Sequence, residues 1–462
     1  MSSSTNHRLR RLTAHAVTMA LAAVGALVLP LAAPEQLPAA QAAGATRSYL
    51  VNARTPKHTA AAQKAAVKAG GQVVQSWPQI GVLVVRSNRA NYARNLQRSA
   101  KASILSVGDA RNEAARERVT VNRSIAVTST TRRLKTASTN VGKADPMQGR
   151  QTHLGVIRTT QAQQITPGSR SVVVGVLDTG IDDRHRDLAA NFSRGDSVDC
   201  TVGGRPRTSA GAWRGSDPHG THVAGTIAAA RNGHGVTGVA PGVRVASVKV
   251  VNENGEAFPE YLVCGFMWSG LKQLTVTNTS LNMFDLWCGE LNIQGAALTA
   301  LHRAINWSAG RGVTHVSSAG NAGMDVSWQR AELCHDPIAE SAKVVHVASV
   351  TNRGRLSDFS SYGRTMVDIA APGEQVFATS SGNRFTHRTG TSQAAPQVAG
   401  TLALMKSRRP AASSATLVQT LKRTTRTLPV RTLGPECRGT VRNNSCTGAG
   451  QLDSQAAVKA MR

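Results

Sequence analysis

The sequence predicts a three-layer α/β domain, with a mainly parallel sheet and helices on both faces, preceded by a small α+β unit. Three observations predict it. Ser171 to Leu177 reads Ser-Val-Val-Val-Gly-Val-Leu, a continuous apolar run of the kind found in a buried parallel strand. The stretch that opens at Ser392, Ser-Gln-Ala-Ala-Pro-Gln-Val-Ala-Gly-Thr-Leu-Ala-Leu-Met, is apolar all round, which suits a helix packed inside. Between Thr46 and Arg111 the pattern runs strand, helix, strand, strand, helix, strand.

Taken in chain order, residues 1–42 carry Arg8, Arg10 and Arg11, then an apolar stretch from Ala16 to Ala33, then Ala40-Gln41-Ala42 as a small-x-small cleavage site. That is the pattern of a secretory signal peptide, and Arg10-Arg11 adds a weak twin-arginine feature. A retained anchor is the rival reading, but the apolar stretch is Ala-rich and interrupted by Pro30. Export without a membrane attachment is the expectation.

In residues 46–111, strands are expected over Ser48–Val51, Gln72–Trp77, Gly81–Arg86 and Ile104–Val107. Helices are expected over Thr59–Ala69, closed by Gly70-Gly71, and over Asn91–Ala100. That order is the ferredoxin-like split βαβ pattern. Residues 112–144 read as a linker, rich in Ser, Thr, Arg and Lys with no sustained periodicity, and residues 145–462 as the large domain.

Three motifs in the large domain carry chemistry. Asp178 ends the apolar strand and is followed by Thr179 and Gly180; ligands collect at the carboxyl ends of strands in open α/β sheets. After Pro218, His219-Gly220-Thr221-His222 begins a small-residue helix running to about Ala230. Ser392 opens the buried helix, where free N–H groups and the helix dipole favour a developing negative charge. Pro396 is read as lying in the first turn of that helix, where its missing N–H costs little. Each residue alone has an ordinary structural role: a strand-ending acid, a helix-starting histidine, an N-cap serine. Together they supply a nucleophile (Ser392), a base (His219) and a carboxylate that orients the imidazole (Asp178).

The order acid, histidine, serine separates these motifs from the chymotrypsin and α/β-hydrolase orders. They resemble the subtilase family of serine endopeptidases (peptidase S8), and the resemblance covers roughly residues 145–460. It implies hydrolysis of internal bonds in protein or peptide substrates through an acyl-enzyme. It also implies that Ala319-Gly320-Asn321, after the strand-like run Gly312–Ser318, forms the oxyanion segment, with the Asn321 side chain and the Ser392 N–H as donors. Ser280-Leu281-Asn282 and the Asn254-Gly255-Glu256 turn resemble the edges that hold an extended substrate as an added strand. Residues 46–111 resemble the inhibitor-I9-like propeptide of the family, an intramolecular inhibitor that makes the precursor a zymogen. Asn282 and Met283 stand where most members have two glycines, and Gln393 stands where Met is common. Asp187 matches a position that ligates calcium in some members. No cofactor is implied for the reaction, with calcium an optional structural ion whose sites the sequence does not identify. His219 and His222 lack the intervening Glu of a His-Glu-x-x-His zinc motif.

The formal charge of +28 invites a nucleic-acid partner. About +16 of it precedes Gly142, however, and no aromatic platform is interleaved with the basic residues, so none is expected. A monomer is expected. All six cysteines fall at or after Cys200, which in an exported chain implies disulfides. Cys437 and Cys446 bracket a short loop and are read as a pair; Cys264–Cys288 with Cys200–Cys334 is the expected completion among fifteen connectivities. Two other functions fit the motifs: a processing peptidase dedicated to one secreted precursor, and an inactive binding protein of the same fold.

Overall fold

A computed structural model describes residues 45–110, 144–281, 291–327, 336 and 338–462. The signal segment, nearly all of the linker, Asn282, Met283, Cys288 and Cys334 lie outside the described residues.

The N-terminal unit comprises β1 (Arg47–Ala53), α1 (Thr59–Lys68), β2 (Gln72–Trp77), β3 (Val82–Ser87), α2 (Tyr92–Ser99) and β4 (Ile104–Asp109), within a residue or two of the expected bounds. Its antiparallel sheet has the order β2-β3-β1-β4. Side chains alternate faces along a strand, and here both faces are covered. Tyr49, Val51, Leu83 and Val85 pack with Ala62, Ala66, Tyr92 and Leu96 of the two helices. Leu50, Val82 and Val84 belong instead to a core shared with the large domain.

The large domain continues with α3 (Thr152–Val156), α4 (Thr159–Ile165), β5 (Val173–Asp178), α5 (Arg186–Ala189), β6 (Val198–Val202), β7 (Arg205–Arg207), α6 (His219–Ala228) and β8 (Arg244–Lys249). Then come α7 (Pro259–Leu271), β9 (Val276–Thr279), α8 (Leu291–Gly310), β10 (Thr314–Ser318), β11 (Val344–Val350), β12 (Ile369–Pro372), β13 (Val376–Ser380) and β14 (Arg384–Arg388). It ends with α9 (Thr391–Arg408), α10 (Ser414–Arg423), α11 (Val430–Leu433), β15 (Gly439–Thr440), β16 (Asn443–Asn444) and α12 (Ser454–Lys459). The sheet order is β12-β11-β10-β9-β5-β8-β6-β7, parallel throughout except for β6 with β7. The chain leaves β5, returns on one side at β8 and crosses to the other at β9, so the switch in direction falls at β5.

β5 is buried along its whole length. Val173 and Leu177 join the core of α7 and α8, while Val174 and Val176 join that of α6, α9 and α12. Each such side chain contributes about 1.5–3 kcal/mol by burial. Period two then puts Asp178 on the face of Val174 and Val176, the face covered by α6 and α9. Among the described residues no helix is long and apolar enough to cross a membrane.

The N-terminal unit docks on α7 and α8. Asn52 Nδ2 donates to Ala296 O at 2.7 Å, and Ser48 Oγ to Glu260 Oε1 at 3.4 Å. The Arg303 guanidinium, on α8, donates to the carbonyls of Ala53 at 2.8 Å, Ile80 at 3.2 Å, and Arg54 and Gly81 at 3.3 Å.

Cys437–Cys446 forms as expected, with Cα atoms 5.5 Å apart. The other expected pairing is wrong, because Cys200 is bonded to Cys264. β6 lies under α7, which brings their Cα atoms to 5.7 Å, and no local spacing encodes that contact. A non-reducing peptide map will join Cys200 to Cys264, and replacing both by Ser will lower stability by about 2–5 kcal/mol in denaturant unfolding.

Candidate active site

Asp178 and His219 meet inside the protein, both fully buried. His219 Nδ1 lies 2.8 Å from Asp178 Oδ1, which also accepts the Thr179 N–H at 2.7 Å. The start of α6 is fixed by two side chains: the Asp217 carboxylate accepts the His219 N–H at 2.7 Å, and the Thr179 hydroxyl accepts the Gly220 N–H at 3.0 Å. Gly220 is required by proximity, since a Cβ there would lie 2.3 Å from Gly180 O and 3.2 Å from Asp178 Oδ1. A proton on Nδ1, donated to the carboxylate, leaves Nε2 as an unprotonated acceptor, and Nε2 has no partner among the described residues. His222 does not share this role: its Nε2 contacts Val376 O at 3.1 Å, and burial, with Arg388 and His219 nearby, holds it neutral.

Ser392 is the second residue of α9 and is 6 % exposed. Pro396 is the sixth residue, in the second turn rather than the first. Its missing N–H therefore deprives the Ser392 carbonyl of its helical donor. Ser280 Oγ fills the gap, donating to Ser392 O at 2.9 Å, and Asn278 Nδ2 donates to Ser280 Oγ at 2.8 Å. Ser392 Oγ donates to Ser280 O at 3.2 Å.

Asn321 lies just beyond β10, as the strand-like run implies. Its Oδ1 accepts from Thr391 N at 2.8 Å and Thr391 Oγ1 at 2.7 Å, which fixes the amide and turns Nδ2 the other way. Gly390 has φ +155°, and a Cβ on it would lie 3.0 Å from Gln393 Oε1, 3.4 Å from Asn321 Nδ2 and 3.7 Å from Ser392 N. The Asn321 Nδ2 and Ser392 N donors thus lie beside Gly390 together with the Gln393 Oε1 acceptor. Gln393 is fully buried, and both its amide atoms lack a partner among the described residues.

The remaining candidates are less uniform. Ser280 and Leu281 are buried, and Ser280 is committed to Ser392. Ala319 donates its N–H to Val347 O, and Gly320 O accepts from Ser361 N. Gly255, at φ +80°, sits at the tip of a turn closed by Asn252 N to Glu256 O at 2.9 Å, with open space beside it. The sequence reading missed Thr179 and Thr391, although both lie inside the motifs it used.

Asp187 is fully buried. Its Oδ2 accepts the Val236 N–H at 2.9 Å, while Oδ1 has no partner among the described residues. Nearby Asp145 accepts the Gly233 N–H at 2.7 Å and the Thr237 hydroxyl. Calcium takes six to eight oxygens, whereas three of these four carboxylate oxygens accept N–H or O–H hydrogens and only Asp187 Oδ1 is without a partner among the described residues, so this donor set does not fit the ion. Burial, opposed by the Val236 N–H and reinforced by Asp145, pushes the Asp187 carboxyl up to about 7.

Two measurements check these arrangements. Ser280→Ala will cost about 1–2 kcal/mol of stability, and less in a Pro396→Ala background, where the helix regains its N–H donor; equal costs would refute the compensation. Since folded Asp187 keeps a proton that the unfolded chain has lost, it makes stability fall as pH rises from about 4 to about 7. Asp187→Asn will flatten that fall, by at most about 4 kcal/mol, in pH-dependent denaturation.

The family model of the subtilases (peptidase S8) matches residues 169–451. Subtilisin DY of Bacillus licheniformis is 34% identical over 251 residues, covering 53% of this chain and 80% of that protein. Subtilisin Savinase of Lederbergia lenta is 35% identical over 258 residues, covering 56% and 84%. The crystal structure of the epidermin leader peptide processing serine protease of Staphylococcus aureus shares the fold, with a TM-score of 0.68 at 20% identity, over 90% of this chain and 98% of that one. The chain belongs to the subtilase family and is a serine-type endopeptidase, a hydrolase acting on proteins.

Proposed function

We propose that this endopeptidase works through Asp178, His219 and Ser392, with Asn321 and the Ser392 N–H holding the oxyanion. The observation that carries the reading is the buried 2.8 Å contact of His219 Nδ1 with Asp178 Oδ1, which leaves Nε2 ready to accept a proton. Rotation of the Ser392 side chain away from Ser280 O delivers its proton to Nε2 as Oγ attacks the substrate carbonyl. The oxyanion then lies between Asn321 Nδ2 and Ser392 N. His219 returns the proton to the leaving amine, and a water, activated by the same nitrogen, releases the acyl group. The reaction asks for no organic cofactor, and one copy of the chain carries every group named, so it acts as a monomer.

The precursor is exported, a reading supported by the basic and apolar pattern of residues 1–42. Residues 46–111 act as an intramolecular inhibitor removed by cleavage in the linker, residues 112–144, or near Arg111. This is supported by the shared core with α7 and α8 and by the contacts of Arg303 and Asn52. The edges that receive substrate are Gly255 on one side and Ser280, Leu281 and Asn282 on the other, with Ala319 and Gly320 ahead of Asn321.

A serine-directed fluorophosphonate will label the processed protein and not Ser392→Ala; absence of labelling in both would return the inactive-binder reading. Asn321→Ala will lower kcat by about 10²–10³ with KM little changed, the loss known for removing one such donor in subtilisin. Intact-mass time courses of the purified precursor will show cleavage near Arg111 or between residues 112 and 144 that stops in Ser392→Ala. Peptide-library digestion then separates broad cleavage from a dedicated motif.

A further inference from the structure

We propose that the catalytic domain carries a second binding site, a cationic cleft at the amino-terminal end of β12 that takes a small ligand bearing two or more phosphate or sulfate groups. The cleft has a volume of about 750 Å³, the size of a pocket for a small ligand rather than a gap in packing. Four cationic residues line it: Arg364 from the loop before β12, Lys422 and Arg423 from the end of α10, and Arg442 from the turn between β15 and β16. Apart from the adjacent Lys422 and Arg423 these positions are far apart in sequence, so the fold gathers three separate segments around the cleft.

A single carboxylate lines the same cleft, Asp368. It is bonded to Lys422 Nζ and accepts the His346 N–H at 2.9 Å, so its charge is already matched. Arg364, Arg423 and Arg442 are exposed, and among the described residues no carboxylate pairs with any of them. Three guanidinium groups around one concavity therefore face solvent with an unmatched positive charge. Guanidinium forks match phosphate and sulfate oxygens two at a time, which favours a ligand with several such groups over a single small anion.

The cleft is also held in shape before any ligand arrives. Arg442 lies within the loop closed by Cys437–Cys446. Asn444 Oδ1 pins the far side of that loop, accepting from Cys446 N at 3.0 Å and Thr447 N at 2.7 Å. Lys422 is fixed by its pairing with Asp368. Because β5 and β12 belong to the parallel part of one sheet, an amino-terminal site on β12 lies at the opposite end from Asp178, and a ligand there leaves the catalytic end open.

The test is calorimetric titration of full-length Ser392→Ala protein, which does not digest itself, with inorganic tripolyphosphate at low salt. One site is expected, bound about tenfold or more tightly than orthophosphate and weakened by added salt. Arg364→Ala with Arg442→Ala should weaken binding by about tenfold or more, while Arg408→Ala with Arg409→Ala, which removes the same charge from the end of α9, should not. Circular dichroism and melting of the free variants show that the loss is not unfolding; if the alanine pair melts lower, Arg364→Gln with Arg442→Gln is judged by the same criterion. A heparin-derived sulfated disaccharide run beside tripolyphosphate tells which source of the anion is preferred. Equal binding by the two double variants, orthophosphate as tight as tripolyphosphate, or no binding of either probe overturns the proposal.

Discussion

The 2.8 Å contact between His219 and Asp178 sets terms for everything around it. A carboxylate removed from water must be paired and hydrogen-bonded, or its charge is lost. Asp178 receives the imidazole and the Thr179 N–H, and that arrangement needs the start of α6 to approach the end of β5 almost to backbone contact. Gly220 permits the approach, and the Thr179 hydroxyl and Asp217 carboxylate cap the first N–H groups of α6 so that the helix can begin there. The parallel sheet supplies the rest, because a strand buried on both faces holds its terminal residue rigidly.

Burial also explains which polar atoms stay alone. An unpaired buried group costs about 1–3 kcal/mol, so a native site keeps few of them. His219 Nε2 is one, as are Asp178 Oδ2 and the Gln393 amide, and a bond at Nε2 to another protein group would block the proton transfer it is poised to make. Asn321 shows the complementary solution, its oxygen doubly satisfied by Thr391 so that its nitrogen has one direction left. Ser280 repairs the carbonyl that Pro396 leaves without a donor, and in doing so ties β9's end to the nucleophile's helix.

Much of this was legible in the chain. The apolar run ending at Asp178 marked the strand, its depth and the carboxylate's position, because a continuous apolar run is the usual pattern of a strand with both faces buried, although β9 and β10 are buried throughout while rich in Thr, Asn, His and Ser. The small-residue helices of His219 and Ser392 were legible for the same reason. The N-terminal unit's order followed from helix and turn signals, yet the second face of its sheet did not: Leu50, Val82 and Val84 look like ordinary strand residues until α7 and α8 cover them. Pro396 falls in the second turn whether the helix opens at Ser392 or, as it does, at Thr391, so the error lay in counting from the helix start and not in the structure's one-residue shift of that start. Cys200–Cys264 was missed because it records a sheet–helix contact across 64 residues, which no local spacing reports.

The same distinction separates the two ends of the catalytic domain. At the carboxyl ends of the strands, short motifs bring their own neighbours: Thr179 with Asp178, Thr391 with Ser392. At the amino end of β12, Arg364, Lys422, Arg423 and Arg442 come from segments with no motif in common, and only the closed fold makes them adjacent. Charge in a sequence of +28 therefore says little until it is placed. These four share a concavity in which a disulfide-bonded loop carries Arg442, an ion pair holds Lys422, and the one carboxylate is already paired.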